Sequence, residues 1–257
     1  MNKYLTMKNC FLIALTLLLA CQPSGNENVS EKKWLGLSVD LASIQPEINT
    51  YYMFDSTKAK IGSMIFGTYF ENGKLISRDT SSFDDGSVYE EAEFIFDTGT
   101  FKLEEVSIGM QINSTKLNVD IIASENQVNG LYRVTRDTTI SDYPVDSLYT
   151  YDVIRSELYM LMQTLDYKTE DTIKFKALIP TSMTVSNASL YYVKDETVTT
   201  PAGTFDCKVI HLMTDGKMPQ NRIWITKEKP ARIVTFYVPG PKLSMELINS
   251  KKSNGTY

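Results

Sequence analysis

The chain has 257 residues, with 26 Lys+Arg against 31 Asp+Glu, one histidine, three cysteines and a net charge of −5. A mildly acidic balance with no basic cluster excludes the electrostatic footprint of a nucleic-acid binder, or of a protein held on an anionic membrane by charge. A chain of this length can bury a core without disulfides or structural metals.

Lys3 and Lys8 precede an apolar run, Phe11–Ala20, that ends at Cys21. This is the layout of a secretory signal: charged start, short apolar stretch, small residue at the cut. Ten residues at about 1.5 Å each fall short of a bilayer core roughly 30 Å thick, so the run does not predict a membrane span. Leu18-Leu19-Ala20-Cys21 resembles the lipobox of bacterial lipoproteins. That resemblance implies a signal peptide over 1–20, cleavage after Ala20 and lipid attachment at Cys21. The membrane is then a partner through the lipid, because each buried methylene contributes about 0.8 kcal/mol. Loss of the signal removes two of the 26 basic residues and no acid, leaving 24 against 31, a net charge of −7. It also removes Cys10, and acylation takes Cys21, so Cys207 stands alone and no internal disulfide can form. Residues 21–33 are polar and aperiodic, as in a flexible tether. Gln22 is not the aspartate that retains lipoproteins at the inner membrane, so the expected location is the cell envelope, at the outer membrane facing the periplasm.

From Trp34 onward the pattern alternates every second residue: Val106, Ile108, Met110, Ile112; then Leu117, Val119, Ile121; then Leu243, Met245, Leu247. Such alternation predicts strands with one buried and one wet face. Asn72-Gly73 is a two-residue hairpin signal, and Asp84-Asp85-Gly86, Asn129-Gly130, Pro201-Ala202-Gly203, Asp215-Gly216 and Pro239-Gly240-Pro241 are further breaks. The polar stretch Arg136–Tyr149 predicts a long crossover. Between Tyr151 and Leu165 the period changes: Ile154, Leu158, Leu161, Met162 and Leu165 recur at helical spacing, with Thr150 or Asp152 placed to cap the start. The predicted fold is mainly β, a single curved antiparallel sheet or incomplete β-barrel, with one amphipathic helix over about 151–165 on its concave face. One β-rich domain spans 34–250, followed by a polar tail, 251–257. The helix plugs the sheet as a core element or, alternatively, covers a ligand hollow as a lid. The residues expected to line such a hollow are Leu158, Leu161, Met162 and Trp224.

The C-terminal third carries Glu196-Thr-Val-Thr-Thr-Pro-Ala-Gly-Thr-Phe-Asp-Cys207, then Arg222-Ile-Trp-Ile-Thr-Lys-Glu-Lys-Pro-Ala-Arg-Ile-Val234, then Lys242-Leu-Ser-Met-Glu-Leu-Ile248. This order resembles an uncharacterised periplasmic family, a domain of unknown function with a fold like the Lol-type lipoprotein carriers. The resemblance implies an unclosed barrel with a helical lid over an apolar cavity. It is specific over about 150–250 and rests on strand pattern alone before that. No signature of the carriers themselves is present. Read physically, Pro201 and Gly203 make a turn, and the signature reads as hairpin scaffolding rather than chemistry.

Little in the chain points to catalysis. His211 shares a strand face with Phe205 and Met213, no Gly-x-Ser-x-Gly elbow presents a serine, and one histidine with one thiol makes no metal site. Cys207 in an apolar strand is an inert thiol. Acid doublets are common, but neighbours on a strand point to opposite faces, which leaves Glu91 and Glu93 as the pair on a shared face. The fifteen tyrosines suit half-buried strands. The expectation is a non-catalytic envelope lipoprotein, without cofactor or nucleic acid, that binds an apolar ligand such as an acyl chain, or a protein partner. The alternatives are an envelope glycan hydrolase using carboxylates from separate strands, and a structural or assembly subunit.

Overall fold

The computed structural model describes residues 33–35, 37–124, 127–168 and 172–253. Cys21, Ala20, the signal and nearly all of the tether lie outside the described residues. A short ribbon, β1 (Lys33–Trp34) with β2 (Leu37–Ser38), leads into a 3-10 turn at Leu41–Ser43. Two meanders follow. The first runs through β3 (Glu47–Phe54), β4 (Lys60–Glu71), β5 (Lys74–Phe83), β6 (Val88–Asp97), β7 (Leu103–Ile112), β8 (Thr115–Ser124), β9 (Gln127–Arg136) and β10 (Thr139–Leu148). The second begins with β11 (Val153–Ile154) and the helix α1 (Glu157–Thr164). It continues through β12 (Thr172–Ile179), β13 (Thr184–Thr200), β14 (Gly203–Thr214), β15 (Asn221–Thr226), β16 (Ile233–Val238) and β17 (Leu243–Lys252).

Pairing of β17 with β3 joins the two meanders into one sheet of 15 strands with β10 and β11 at its edges. The sheet curves without closing, and every pairing is antiparallel except the short β11–β12 contact. The expected fold class is therefore the observed one.

Alternation produces this sheet. Along β6, Ala92, Phe94 and Phe96 are buried and alternate with Glu91, Glu93 and Ile95. The register places Phe94 beside Val106 of β7, and Val106 beside Ile121 of β8. These side chains form one core with Leu158, Leu161 and Met162 of α1 and with Ile210, Leu212 and Ile223 of β14 and β15. At about 1.5–3 kcal/mol per fully buried aliphatic or aromatic side chain, this layer is the main source of stability.

Several expectations need correcting. The helix is eight residues, Glu157–Thr164, not 151–165. Val153 and Ile154 pair in parallel with Ala177 and Leu178, so their apolar side chains are buried at a sheet edge before the helix begins. Neither proposed cap is used: the Asp152 carboxylate accepts from the Lys176 N–H at 2.7 Å, and Glu157 folds back to accept the Ile154 N–H. The Arg136–Tyr149 stretch is no crossover, since residues 139–148 form β10 in unbroken register with β9. Its polarity reflects an edge strand, on which Pro144 is tolerated because no second neighbour needs its missing N–H. Asn129-Gly130 is no turn either. Gly130 sits inside β9 at φ 154°, where a Cβ would stand 2.0 Å from the Asp120 carbonyl oxygen. Glycine is needed there for close backbone approach. By contrast, Asn72 and Gly73 take φ 49° and 75° in the expected two-residue hairpin between Glu71 and Lys74. At the other end, β17 continues through Lys251 and Lys252, which pair with Ile48 and Glu47, so the strand takes the first residues assigned to the tail.

Candidate functional site

α1 lies beside β11 and the 3-10 turn and buries Leu158, Leu161 and Met162 in the core, leaving part of the face on which it lies unfilled. Over β3–β6 and β16–β17 that face holds a hollow of about 270 Å³. Register explains its lining. Tyr51 and Met53 of β3 stand opposite Leu247 and Met245 of β17 and, on the other side, Met64 and Gly62 of β4. Phe66, Phe94 and Phe236 complete a wall that is mostly apolar. Methionine is unbranched and polarisable, so the Met53–Met64–Met245 side of the hollow can adapt to an occupant. The roof consists of Arg155, Ser156 and Tyr159 at the start of α1, with Pro180 and Thr181 after β12. Tyr159 is fixed edge-to-face on Phe236 at 5.3 Å, and its hydroxyl accepts from Asn221 Nδ2 at 3.1 Å.

Two carboxylates interrupt the apolar wall. Asp79 faces Phe66 and Ala92 across the ladder, and Glu90 faces Ser81 and Met110. They are diagonal neighbours on one face of adjacent strands, a spacing of roughly 7–8 Å between Cα atoms that long side chains can span. Asp79 is half-buried and lines the hollow. Burial pushes its carboxyl up to about 7; Glu90 raises it further and Arg155 pulls it down. Burial also raises Glu90, against the pull of Arg155. Arg155 Nε is buried and has no hydrogen-bond partner among the described residues.

The residues singled out from the sequence lie elsewhere. Leu158, Leu161 and Met162 are 0%, 3% and 1% exposed in the solid core, and of the three only Met162 borders a recess, a separate one near Lys208. The apolar stripe of the helix faces the sheet, so the hollow meets the neighbouring stripe, Arg155 and Tyr159, one turn apart. Trp224 lies on the opposite sheet face from Ile223 and Phe236, and its indole N–H donates to Glu196 Oε2 at 2.7 Å. Ile223 and Ile225 take the buried side of β15 instead.

Glu91 and Glu93 also face away from the hollow. Glu93 is ion-paired with Arg78, and Glu91 accepts from the Tyr89 hydroxyl at 3.1 Å. His211 is held between the Tyr191 hydroxyl, 2.9 Å from Nδ1, and Arg222, which donates to Nε2 at 2.5 Å. Burial and Arg222 both lower its pKa. Cys207 is free and buried, and burial pushes its thiol up to about 12. Among the described residues no group of three or more His, Cys, Asp or Glu is placed to hold a metal ion.

No curated protein matches the chain. Among solved structures, the beta-barrel-like protein of a domain of unknown function, DUF1849, from Brucella abortus aligns with a TM-score of 0.55 at 10% identity, covering 84% of this chain and all of that one. A protein from Bacteroides fragilis, described as exported and with a YmcC-like fold, aligns at 0.35 and 12% identity, covering 83% of this chain and 99% of its own. A protein described as a lipoprotein from Parabacteroides distasonis aligns at 0.31 and 11%, covering 81% and 96%. The first likeness speaks for the fold alone. A family model matches residues 56–248, so it reaches well into the strands N-terminal to the C-terminal signature. The chain belongs to that family, the proteins of unknown function designated DUF3108.

Proposed function

We propose that this protein is an envelope lipoprotein, anchored through Cys21, whose hollow binds an amphiphile with a single apolar chain. The observation that carries the reading is the mostly apolar cavity on the helix-bearing face of the sheet. At about 270 Å³ it lies at the lower edge of the roughly 300–1,000 Å³ of small-molecule sites, which favours one chain over two. An unclosed sheet with a partial helical cover is also the arrangement that the resemblance to lipoprotein carriers implies. The lipobox supports a periplasmic, outer-membrane location, and radiolabelled palmitate incorporation that disappears in Cys21→Ser tests the anchor.

The ligand reading is tested by mass spectrometry of organic extracts from the purified protein, alongside displacement of a fluorescent fatty probe. A stoichiometric amphiphile, or probe binding weakened by Met64→Trp, supports it. An empty protein that takes up no probe overturns it and leaves docking of a protein partner in the lead.

The acid pair favours a second reading, a glycan hydrolase. Glycosidases set two carboxyl groups at about 5–10 Å, one of them with a raised pKa. Asp79 and Glu90 line one hollow and burial raises both carboxyls, but the phenyl and thioether walls around them offer few partners for sugar hydroxyls. Release of reducing ends from envelope glycans, abolished in Asp79→Asn, would establish the hydrolase; no release from any glycan would dispose of it.

A further inference from the structure

We propose that the roof of the hollow is a gate held by two side-chain latches, the Tyr132 hydroxyl and the Glu157 carboxylate, which set how fast an amphiphile enters and leaves; this rests on the ligand reading above. No ladder joins the two edges of the sheet, β10 and β11. The first meander reaches the roof through side chains instead. Tyr132 of β9 donates its hydroxyl proton to the Thr181 carbonyl at 2.9 Å. Glu157 Oε1 accepts from the Leu103 N–H, at the start of β7, at 3.3 Å, and Oε2 accepts from the Ile154 N–H, which aims the carboxylate. Thr181 belongs to the turn after β12, and Glu157 stands between Ser156 and Tyr159, so each latch holds one of the two pieces of the roof.

The two pieces form one body. The Arg155 N–H donates to the Leu178 carbonyl at 2.8 Å, and Pro180 and Thr181 follow shortly along the chain. Pro180 has no N–H with which to tie the turn further. Beneath them the helix is fixed, because Leu158 and Leu161 are 0% and 3% exposed in the core. Opening is therefore confined to the β11–α1 junction and the β12–β13 turn. It releases part-buried groups to water, so each latch resists it with the net strength of one hydrogen bond, about fivefold in the opening equilibrium. When a ligand passes only through the open form, association and release scale alike with that equilibrium, and affinity stays the same. Tyr132 is also held edge-to-face on Tyr143 at 6.0 Å, so loss of its hydroxyl leaves the ring in place.

The experiment follows dansyl-undecanoate, a fluorescent fatty probe, by stopped flow on the purified protein, on Tyr132→Phe, on Glu157→Gln and on the double variant. Phenylalanine removes only the hydroxyl, and glutamine leaves one oxygen to accept where the carboxylate has two. Each single variant speeds both association and release about fivefold and leaves Kd within about twofold; the double variant speeds both about 25-fold. Hydrogen exchange rises over residues 152–159 and 178–184 and stays unchanged over β14 and β15. Rates or exchange unchanged in Tyr132→Phe overturn the gate and leave the ligand reading standing. So does release that quickens while association does not, which marks damage to the hollow itself. If the unaltered protein binds no probe, both fail. Should Glu157→Gln not fold, Tyr132→Phe alone decides.

Discussion

Replacing Asp79 with asparagine isolates the cost of keeping a carboxylate in the hollow. The folded protein holds this carboxyl at about 7 against an ordinary value of 3.8. Between those two values the folded state binds more protons than the unfolded state, so stability falls as pH rises through the window. Each pKa unit corresponds to about 1.4 kcal/mol, so full ionisation of Asp79 costs on the order of 4 kcal/mol. Asparagine matches the protonated acid in shape and does not titrate. Asp79→Asn therefore has a stability close to the parent's at about pH 4, gains on it steadily above that, and levels off above about pH 7, up to roughly 4 kcal/mol ahead. Urea unfolding followed by circular dichroism at several pH values reads this directly. A stability difference that stays constant from about pH 4 to about pH 8 would refute the reasoning, because it would mean that Asp79 is solvated like any surface acid.

Three other perturbations test the frame around the site. Gly130→Ala drives a methyl group to 2.0 Å from the Asp120 carbonyl at φ 154°, so the β8–β9 pairing must break; the variant should be recovered unfolded or with a large loss of melting temperature. Arg232→Met strands Glu47, whose side chain is 9% exposed and whose Oε2 accepts from Arg232 Nη2 at 2.6 Å. Removing one partner of such a pair costs about 3–5 kcal/mol, read as a fall of roughly 6–20 °C in a thermal melt. The His211 ring should titrate below its usual 6.5, because burial and Arg222 both oppose its protonation. NMR of its ring protons gives that value, and acidification through the unfolded-state pKa should destabilise the fold, since the unfolded chain takes up the proton more readily.

Much of the architecture could be read from residue order because antiparallel strands write their two faces into alternate positions. Val106–Ile112 and Leu117–Ile121 became β7 and β8 in the register that alternation demands. The failures fall where another force sets the backbone. Asn129-Gly130 has turn chemistry, yet Gly130 lies inside a strand because β8 passes too close for any side chain. Ile154 matches a helical period, yet a free strand edge takes it first, together with Val153. Edge strand β10 lacks clean alternation because only one neighbour constrains it.

The site was partly written in the same code. The acidic run Glu90-Glu91 with Glu93 identifies a charged strand, and counting shared faces picks out Glu91 and Glu93. That pair is the expected outcome of alternation, because those two lie opposite Ala92, Phe94 and Phe96 and reach solvent, where Arg78 and Tyr89 meet them. Glu90 is the acid that shares the face of Ala92 and the two phenylalanines, so it violates the pattern of its own strand. Asp79 does the same on β5, two positions from the buried Ser77 and four from the buried Leu75. A carboxylate placed against the pattern costs stability, and two of them one strand apart cost more because each repels the other. Such a cost is not spread at random over a sheet whose other inward positions are largely apolar: both acids open on the same hollow, under the one arginine of its roof. Departures from local rules that converge in space are sharper pointers than any residue that obeys them, so Asp79, Glu90 and Arg155 are the groups to alter first in testing the proposed function.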